Sequence, residues 1–311
     1  MKTRVLLTGG GGMVGRNFLE HPRAASFEVL APPRRELDLL DAPAVAAFLK
    51  VHPVDVVVHA AGRVGGIQAN MREPSRYLLE NWDMGRNLVL AARAAGVKKL
   101  INLASSCMYP RNSPDPLAES DVLTGELEPT NEGYALAKIA VARLCRYVSR
   151  ETPDFRYKTL IPCNLYGRHD SFDPARSHMV PAVIRKIHLA KLRGEKTVEI
   201  WGDGTARREF MYAGDLADCL HEALARYDAL PDEMNVGLGR DLSIDEHYRA
   251  AAEAIGWTGT FVHDASKPVG MSRKLVDVSR ATAWGWRAQT SLRDGLARTY
   301  EFFLTTPEAR P

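Results

Sequence analysis

The stretch TGGGGMVG, residues 8–15, decides how the rest of the chain is read. It sets Gly9, Gly12 and Gly15 in a G-x-x-G-x-x-G pattern, with the apolar run RVLLTG (4–9) before it and GMVGRNFLEH (12–21) after it. The first run reads as a strand and the second as the opening of a helix. A glycine run alone marks only a tight turn. Between a strand and a helix, glycines let the backbone approach a pyrophosphate, whose charge then lies at the positive helix end. The pattern therefore predicts a dinucleotide site at Gly9, Gly12, Met13, Val14 and Gly15.

Working outward, the alternation continues. FEVLAP (27–32), DVVVHAA (55–61), KLINLAS (99–105) and YKTLIPCNLYG (157–167) read as strands. DAPAVAAFLK (41–50) reads as a helix capped by Asp41, residues 75–96 as a long helix ended by Gly96, and residues 131–151 as another. This rhythm predicts an α/β protein with a Rossmann-type, doubly wound parallel sheet covered on both faces. After Tyr166 the rhythm loosens. A polar loop (167–178) leads to a basic helix (179–194), a strand end and helix follow (209–227), and MNVGLG (234–239) is a further strand. No internal repeat or low-complexity linker separates the two halves, so a second domain would be interleaved with the first.

Bulk properties narrow the function classes. The chain has 311 residues, a net charge of +3, 45% hydrophobic and 25% charged residues, which is ordinary for a soluble globular protein. So small a charge gives no case for nucleic acid. No apolar run approaches the ~20 residues of a membrane span. The N-terminal run flows straight into glycines and reads as a first strand rather than a signal peptide. The cysteines Cys107, Cys145, Cys163 and Cys219 are widely spaced, and the nine histidines show no metal-ligand spacing. The expectation is a metal-free, cytoplasmic protein.

The second strand ends APPRRELD, where an NAD site would carry an acid for the ribose 2′-hydroxyl. Arg34 and Arg35 there suit a 2′-phosphate instead, so NADP (NADPH) is expected, against the plainer reading of a solvated basic turn. Asp38 or Asp41 would face the adenine, although Asp41 also serves as a helix cap before Pro43. Tyr134 and Lys138 stand four apart in YALAK and share one helix face. A lysine ammonium favours the phenolate of a nearby tyrosine, whose ordinary pKa is about 10. Ser105 is the expected partner, with Ser106 second. The wide spacing of the glycine loop resembles that of the extended short-chain dehydrogenase/reductase superfamily.

The segments AAGRVGGI, SSCMYP, EPTNEGYALAKIA, NLYG, SHMVPAVIRK, WGDGTARREF and DASKPVG, in that order over residues 5–290, resemble the GDP-L-fucose synthase family. The resemblance implies C3 and C5 epimerisation of a GDP-4-keto-6-deoxy sugar followed by NADPH reduction at C4. Hydrogens on C3 and C5 are both α to the C4 ketone, so donors from Tyr134 and Ser105 that stabilise the enolate also stabilise the alkoxide of reduction. By resemblance Cys107 is the base and His178 the acid of inversion, and a thiol near pKa ~8.5 needs only a modest downward shift to act. Taken alone, Cys107 would be a small buried filler after a strand and His178 a loop histidine.

The resemblance further places Ala60, Ala61, Gly62, Cys163, Asn164, Leu165 and His178 at the cofactor, with Cys163 unreactive. Ser106, Cys107, Lys186, Trp201, Arg208 and Lys274 fall at the substrate; without the resemblance these cations would read as solvated surface charge. It implies a cofactor domain of residues 1–168 plus about 209–240, a nucleotide-sugar domain of 169–208 plus 241–311, and a homodimer through the helices 75–96 and 131–151. His59, Cys145 and Cys219 read as structural. Three departures stand out. Gly11 replaces an arginine of some members, Gly133 a proline, and Ala206 and Arg207 differ near the expected sugar pocket, which leaves room for a related GDP-sugar or heptose. A reductase without epimerisation and a non-catalytic NADP-binding protein are the remaining alternatives; Cys107 and His178 argue against the first, and the Ser105, Tyr134, Lys138 set against the second.

Overall fold

The computed structural model describes every residue except 1, 115, 175, 267–270 and 311, so the KPVG part of the DASKPVG segment lies outside the described residues. The chain opens with β1 (Arg4–Thr8), α1 (Met13–Glu20), β2 (Glu28–Leu30), α2 (Ala42–Val51) and β3 (Val56–His59). There follow α3 (Ile67–Arg72), α4 (Pro74–Ala94), β4 (Lys99–Leu103), α5 (Glu132–Glu151), β5 (Arg156–Pro162) and β6 (Asn164–Tyr166). The later part holds α6 (Met179–Leu192), β7 (Thr197–Trp201), β8 (Arg207–Arg208), β9 (Phe210–Tyr212), α7 (Ala213–Ala225) and β10 (Glu233–Val236). It ends with β11 (Leu242–Ser243), α8 (Ile244–Ile255), β12 (Thr260–Asp264), β13 (Arg273–Lys274), α9 (Ser279–Trp284) and α10 (Leu292–Phe303).

Six strands form a parallel sheet in the order β10-β5-β4-β3-β1-β2. Side chains alternate faces along a strand, and here both faces are apolar. Val5, Leu7, Val56, Val58 and Ile101 meet Phe18 of α1 and Leu216, Cys219 and Leu220 of α7. Leu6, Val57 and Leu100 meet Leu88, Val89 and Ala92 of α4 and Val141, Cys145 and Val148 of α5. Each such side chain stabilises the fold by about 1.5–3 kcal/mol, which is why these strands read as unbroken apolar runs. Cys145 and Cys219 are core, as expected. β1 lies between β2 and β3, so the loops leaving β1 and β3 diverge and open a crevice at the carboxyl edge of the sheet.

The local signals that shape this frame are simple. Asp41 Oδ1 accepts from Ala44 N at 3.0 Å and starts α2 ahead of Pro43. Gly96, at φ +74°, follows the end of α4. One expectation needs correcting. The single strand over 157–167 is broken at Cys163, because the chain leaves the main sheet there and β6 pairs with β9. A separate apolar cluster, including Tyr166, Ile184, Ile187, Ile200, Tyr248 and Phe303, joins α6, α8, α10 and β7.

Candidate active site

The crevice is lined first by the glycine loop. Gly9 has φ +75°, and a Cβ on it would lie 2.6 Å from Ala61 N. A Cβ on Gly15 would lie 2.3 Å from Gly9 O. These two glycines let the β1–α1 turn press against Ala60 and Ala61 at the end of β3. Gly12 is different. It caps α1, its N–H donating to Gly9 O at 3.0 Å, and a Cβ there would meet only Gly9 O at 3.5 Å. A Cβ on Gly11 would meet nothing within 4 Å. The open side of the loop is thus a cradle that side chains would fill, at a helix N-terminus without acids in its first turn. That fits a pyrophosphate. Val14 turns partly toward the core, next to Met13.

At the tip of β2, Arg34 and Arg35 are exposed. Asp38 holds Arg34 at 3.1 Å while its other oxygen accepts from Leu40 N. Asp38 therefore aims the arginine, and the Asp41 carboxylate is engaged in capping α2. A 2′-phosphate would find one braced guanidinium and a second beside it.

The chemical groups meet at the end of β4. Ser105 caps the short turn 106–108, its Oγ accepting from Cys107 N at 3.4 Å, and its hydroxyl acts on both the Cys107 thiol and the Tyr134 phenol, pulling each pKa down. Ser106 is buried within the turn. Tyr134 and Lys138 project from the first turns of α5. Lys138 Nζ donates to Leu103 O at 2.9 Å and lies 5.7 Å from the centre of the Tyr134 ring. Gly62 borders the same spot: a Cβ on it would stand 3.1 Å from Asn81 Oδ1 and 3.6 Å from Lys138 Nζ.

Electrostatics here differ from the sequence expectation. Burial pushes the Tyr134 phenol up, reinforced by Cys107, while the Ser105 hydrogen bond pulls the other way. Burial likewise pushes the Cys107 thiol up, opposed by the Lys274 ammonium, the Ser105 hydrogen bond and Lys138. Lys138 is brought down to about 8 by burial, with Cys107 resisting. Desolvation outweighs the neighbouring cations. Tyr134 is a proton donor rather than a standing phenolate, and Cys107 carries its proton over most of the neutral range.

His178 enters from another wall, as the residue before α6. Ser177 O lies 3.1 Å from the Cβ position of Gly66 in the β3–α3 loop, and burial lowers the imidazole pKa. Cys163 is buried, and burial, with Glu209 next, holds its thiol high. Asn164 Nδ2 donates to Glu209 O at 2.9 Å, and Leu165 packs partly into the core. His59 bonds Thr8 Oγ1 at 2.9 Å and is pushed down to about 3 by burial, a neutral structural residue as read.

The expected substrate cations form two groups. Lys186 Nζ donates to Glu199 O at 2.6 Å, and the half-exposed Trp201 donates to Glu199 Oε1 at 2.9 Å. Arg208 and Lys274 pair across β8 and β13, and Lys274 acts on the Cys107 thiol. Arg207 points elsewhere, to Asp241, so this departure lies outside the expected sugar pocket; Ala206 beside it is buried.

Two residues escaped the sequence reading. Asn81 accepts from Arg63 N at 2.9 Å and donates to Arg63 O and Tyr77 O, fixing the loop after β3. Glu209 accepts from Leu238 N, Gly239 N and Val276 N, and burial pushes its carboxyl up to about 7 against those three donors. The available signal was a polar residue on a core-facing helix position and a lone acid between the Arg207–Arg208 pair and the apolar run FMY. Among the described residues no group of His, Cys, Asp and Glu could hold a metal, and no helix is long and apolar enough to cross a membrane.

The chain is similar to known proteins along nearly its whole length. A sequence model of the NAD dependent epimerase/dehydratase family matches residues 5–237. A GDP-L-colitose synthase from Yersinia pseudotuberculosis is 51% identical over 97% of this chain and 98% of its own. A GDP-L-fucose synthase from Azorhizobium caulinodans is 49% identical over 98% of this chain and 97% of its own. A solved GDP-mannoheptose C4 reductase from Campylobacter jejuni, with NADP bound, superposes with a TM-score of 0.89 at 30% identity, covering 98% of this chain and 99% of that one. With its Rossmann-type sheet, glycine cradle and Ser105–Tyr134–Lys138 cluster, the chain belongs to the NAD dependent epimerase/dehydratase family, among relatives of the GDP-L-fucose and GDP-L-colitose synthases.

Proposed function

We propose that the chain is a bifunctional epimerase-reductase that converts GDP-4-keto-6-deoxy-D-mannose to GDP-L-fucose with NADPH. The observation that carries this reading is the meeting of Ser105, the Cys107 thiol and the Tyr134 phenol at the end of β4, where the Ser105 hydroxyl acts on both of the others. It sets a carbon-proton base beside two oxygen donors. Tyr134 and Ser105 hydrogen-bond the C4 oxygen, stabilising the enolate when a proton leaves C3 or C5 and protonating the alkoxide after reduction. Cys107 removes the carbon-bound proton and His178, at the start of α6, returns one. Lys138 holds positive charge beside the phenol. When bound, NADPH supplies the hydride that reduces C4. Gly9, Gly12, Met13, Val14 and Gly15, Ala60–Gly62 and the Asp38-braced Arg34 are the residues suited to hold it, with Asn164 and Leu165 near the nicotinamide end. Arg208 and Lys274 serve the diphosphate; Lys186 and Trp201 serve the rest of the nucleotide sugar.

A second reading is the same chemistry on a dideoxy sugar, favoured by the 51% identical colitose synthase. A substrate without the C3 hydroxyl needs inversion at C5 alone. The chain is read as two interleaved parts, 1–168 plus about 209–240 and 169–208 plus 241–311, acting in the cytoplasm as a homodimer. The exposed Leu79 and Leu90 on α4 and Leu136 and Tyr147 on α5 support that contact. The deciding experiment incubates the protein with GDP-4-keto-6-deoxymannose and NADPH in D₂O. The expected product is GDP-L-fucose deuterated at C3 and C5. Absence of NADPH oxidation sinks the assignment, and reduction without deuterium leaves a simple reductase.

A further inference from the structure

β8 and β13 are two residues each, and all four are cations. They pair in parallel with Arg207 opposite Arg273 and Arg208 opposite Lys274. Neighbouring side chains on a strand point to opposite faces, so the ribbon carries a like-charged pair on each face. Like charges directly opposite one another weaken a ladder, and two rungs have little else to hold them. Asp241 answers this on one face. Its side chain is 3% exposed and takes one guanidinium on each oxygen: Arg207 Nε reaches Oδ1 at 2.8 Å and Arg273 Nε reaches Oδ2 at 2.5 Å. Arg207 Nη2 also donates to Asp241 O at 3.0 Å, and Glu246 lies 3.6 Å from Arg207 Nη1. Burial opposes ionisation of Asp241, yet the Arg273 and Arg207 hydrogen bonds hold its carboxyl below the usual range. Asp241 also leads directly into β11, which pairs with the other edge of β8 at Leu242 and Arg208. One carboxylate thus ties three strands.

We propose that Asp241 is a positioning residue for substrate binding: by clamping Arg207 and Arg273 on one face of the β8–β13 ribbon, it sets the register that presents Arg208 and Lys274 together on the other. This rests on the reading of Arg208 and Lys274 as the diphosphate cations. The ligand class addressed is a nucleoside diphosphate, the part common to every GDP-sugar. Arg207 gains its role as half of the clamp rather than as a sugar contact.

Calorimetric titration with GDP tests the proposal on the full chain. Asp241→Asn breaks a buried, hydrogen-bonded charge cluster and should weaken GDP binding about tenfold or more. KM for the GDP-sugar should rise in step, with NADPH affinity little changed. Arg207→Leu added to Asp241→Asn removes one of the two repelling charges and should restore much of the loss. Arg273→Ala, at a more exposed end of the clamp, provides a folded variant should Asp241→Asn fail to fold, and should weaken GDP about threefold to tenfold. GDP binding within about twofold of the parent chain in whichever of these two folds overturns the inference, and so does absence of recovery in the double variant. Arg208→Ala separates the two levels. Unchanged GDP binding there sinks the cation reading itself, whereas a loss there without one in Asp241→Asn sinks only the clamp.

Discussion

At the level of single residues, the cluster at the end of β4 is governed by desolvation. Ser105, Tyr134 and Lys138 were legible because i and i+4 share a helix face and a strand ending in serines precedes them. The direction of the pKa shifts was not, because burial depends on what the whole fold stacks over those groups. Lys274 shows the same limit: it reaches Cys107 only through a strand pairing with β8, 66 residues away in sequence (274 − 208). These shifts give a testable pH profile. With its thiol pushed up by burial, Cys107 is mostly protonated near neutrality, so its base form grows about tenfold per pH unit. Deuterium wash-in at C3 and C5, measured at saturating substrate, should rise with that slope from about pH 6 toward 8, where Lys138 begins to lose its proton. Lys274→Met removes the main group pulling the thiol down and should displace the profile to higher pH. Cys107→Ser should abolish wash-in by a factor of about 10² or more while NADPH still binds. A profile that does not move in Lys274→Met, or full-rate exchange in the serine variant, would return Cys107 to the role of filler.

At the level of elements, the glycine loop separates two requirements that the sequence pattern merges. Gly15 is demanded by the protein's own backbone, since a methyl there would stand 2.3 Å from Gly9 O. Gly12 faces open space that the cofactor would use. Gly15→Ala should therefore lower the melting temperature, an overpacking cost of about 1–3 kcal/mol. Gly12→Ala should melt like the parent chain yet bind NADPH about tenfold or more weakly, as a methyl blocks close approach to the pyrophosphate. Equal effects of the two changes on melting and on fluorescence titration of NADPH would contradict this division. The first half of the chain was readable because each strand–helix unit carries its own period, with Asp41 capping α2 and Gly96 following the end of α4. The second half was less so. β7 pairs with β12, from residue 260 onward, and the two-residue strands β8, β11 and β13 exist only through each other. α8, by contrast, carried a readable start and stop: Ser243 and Glu246 form a capping box, and Gly256 ends the helix at φ +71°.

At the level of the whole molecule, the exposed stripe of Leu79, Leu90, Leu136 and Tyr147 lies on the two helices read as the dimer contact. Leu90→Glu combined with Leu136→Glu should convert a dimer to a monomer in sedimentation runs, and an unchanged mass would place the contact elsewhere. Two buried histidines, one on the central sheet and one on the helix α7 packed against it, weaken the fold on acidification. His59 bonds Thr8 between β3 and β1 and is pushed down to about 3 by burial, with Lys138 adding to the shift. His221 on α7 stacks on Phe18 with ring centres 4.0 Å apart, bonds Phe18 O at 3.0 Å, and is lowered to about 4 by burial. Unfolded, each takes a proton near pH ~6.5. Between that pH and the folded value the unfolded chain binds more protons than the folded one, so acidification favours unfolding and the loss continues until the folded pKa is reached. For His59 alone the descent from pH 6.5 to 5 costs about 2 kcal/mol. Urea unfolding at a series of pH values should show stability falling on the acid side of neutrality, and His59→Gln should remove its share of that slope. The comparison with the variant is needed because Glu209, pushed up to about 7, takes up a proton in the fold over the same range and acts in the opposite sense. An acid-side slope left unchanged by His59→Gln would mean that His59 accepts a proton within the fold, against its burial beside Thr8 and the Lys138 ammonium.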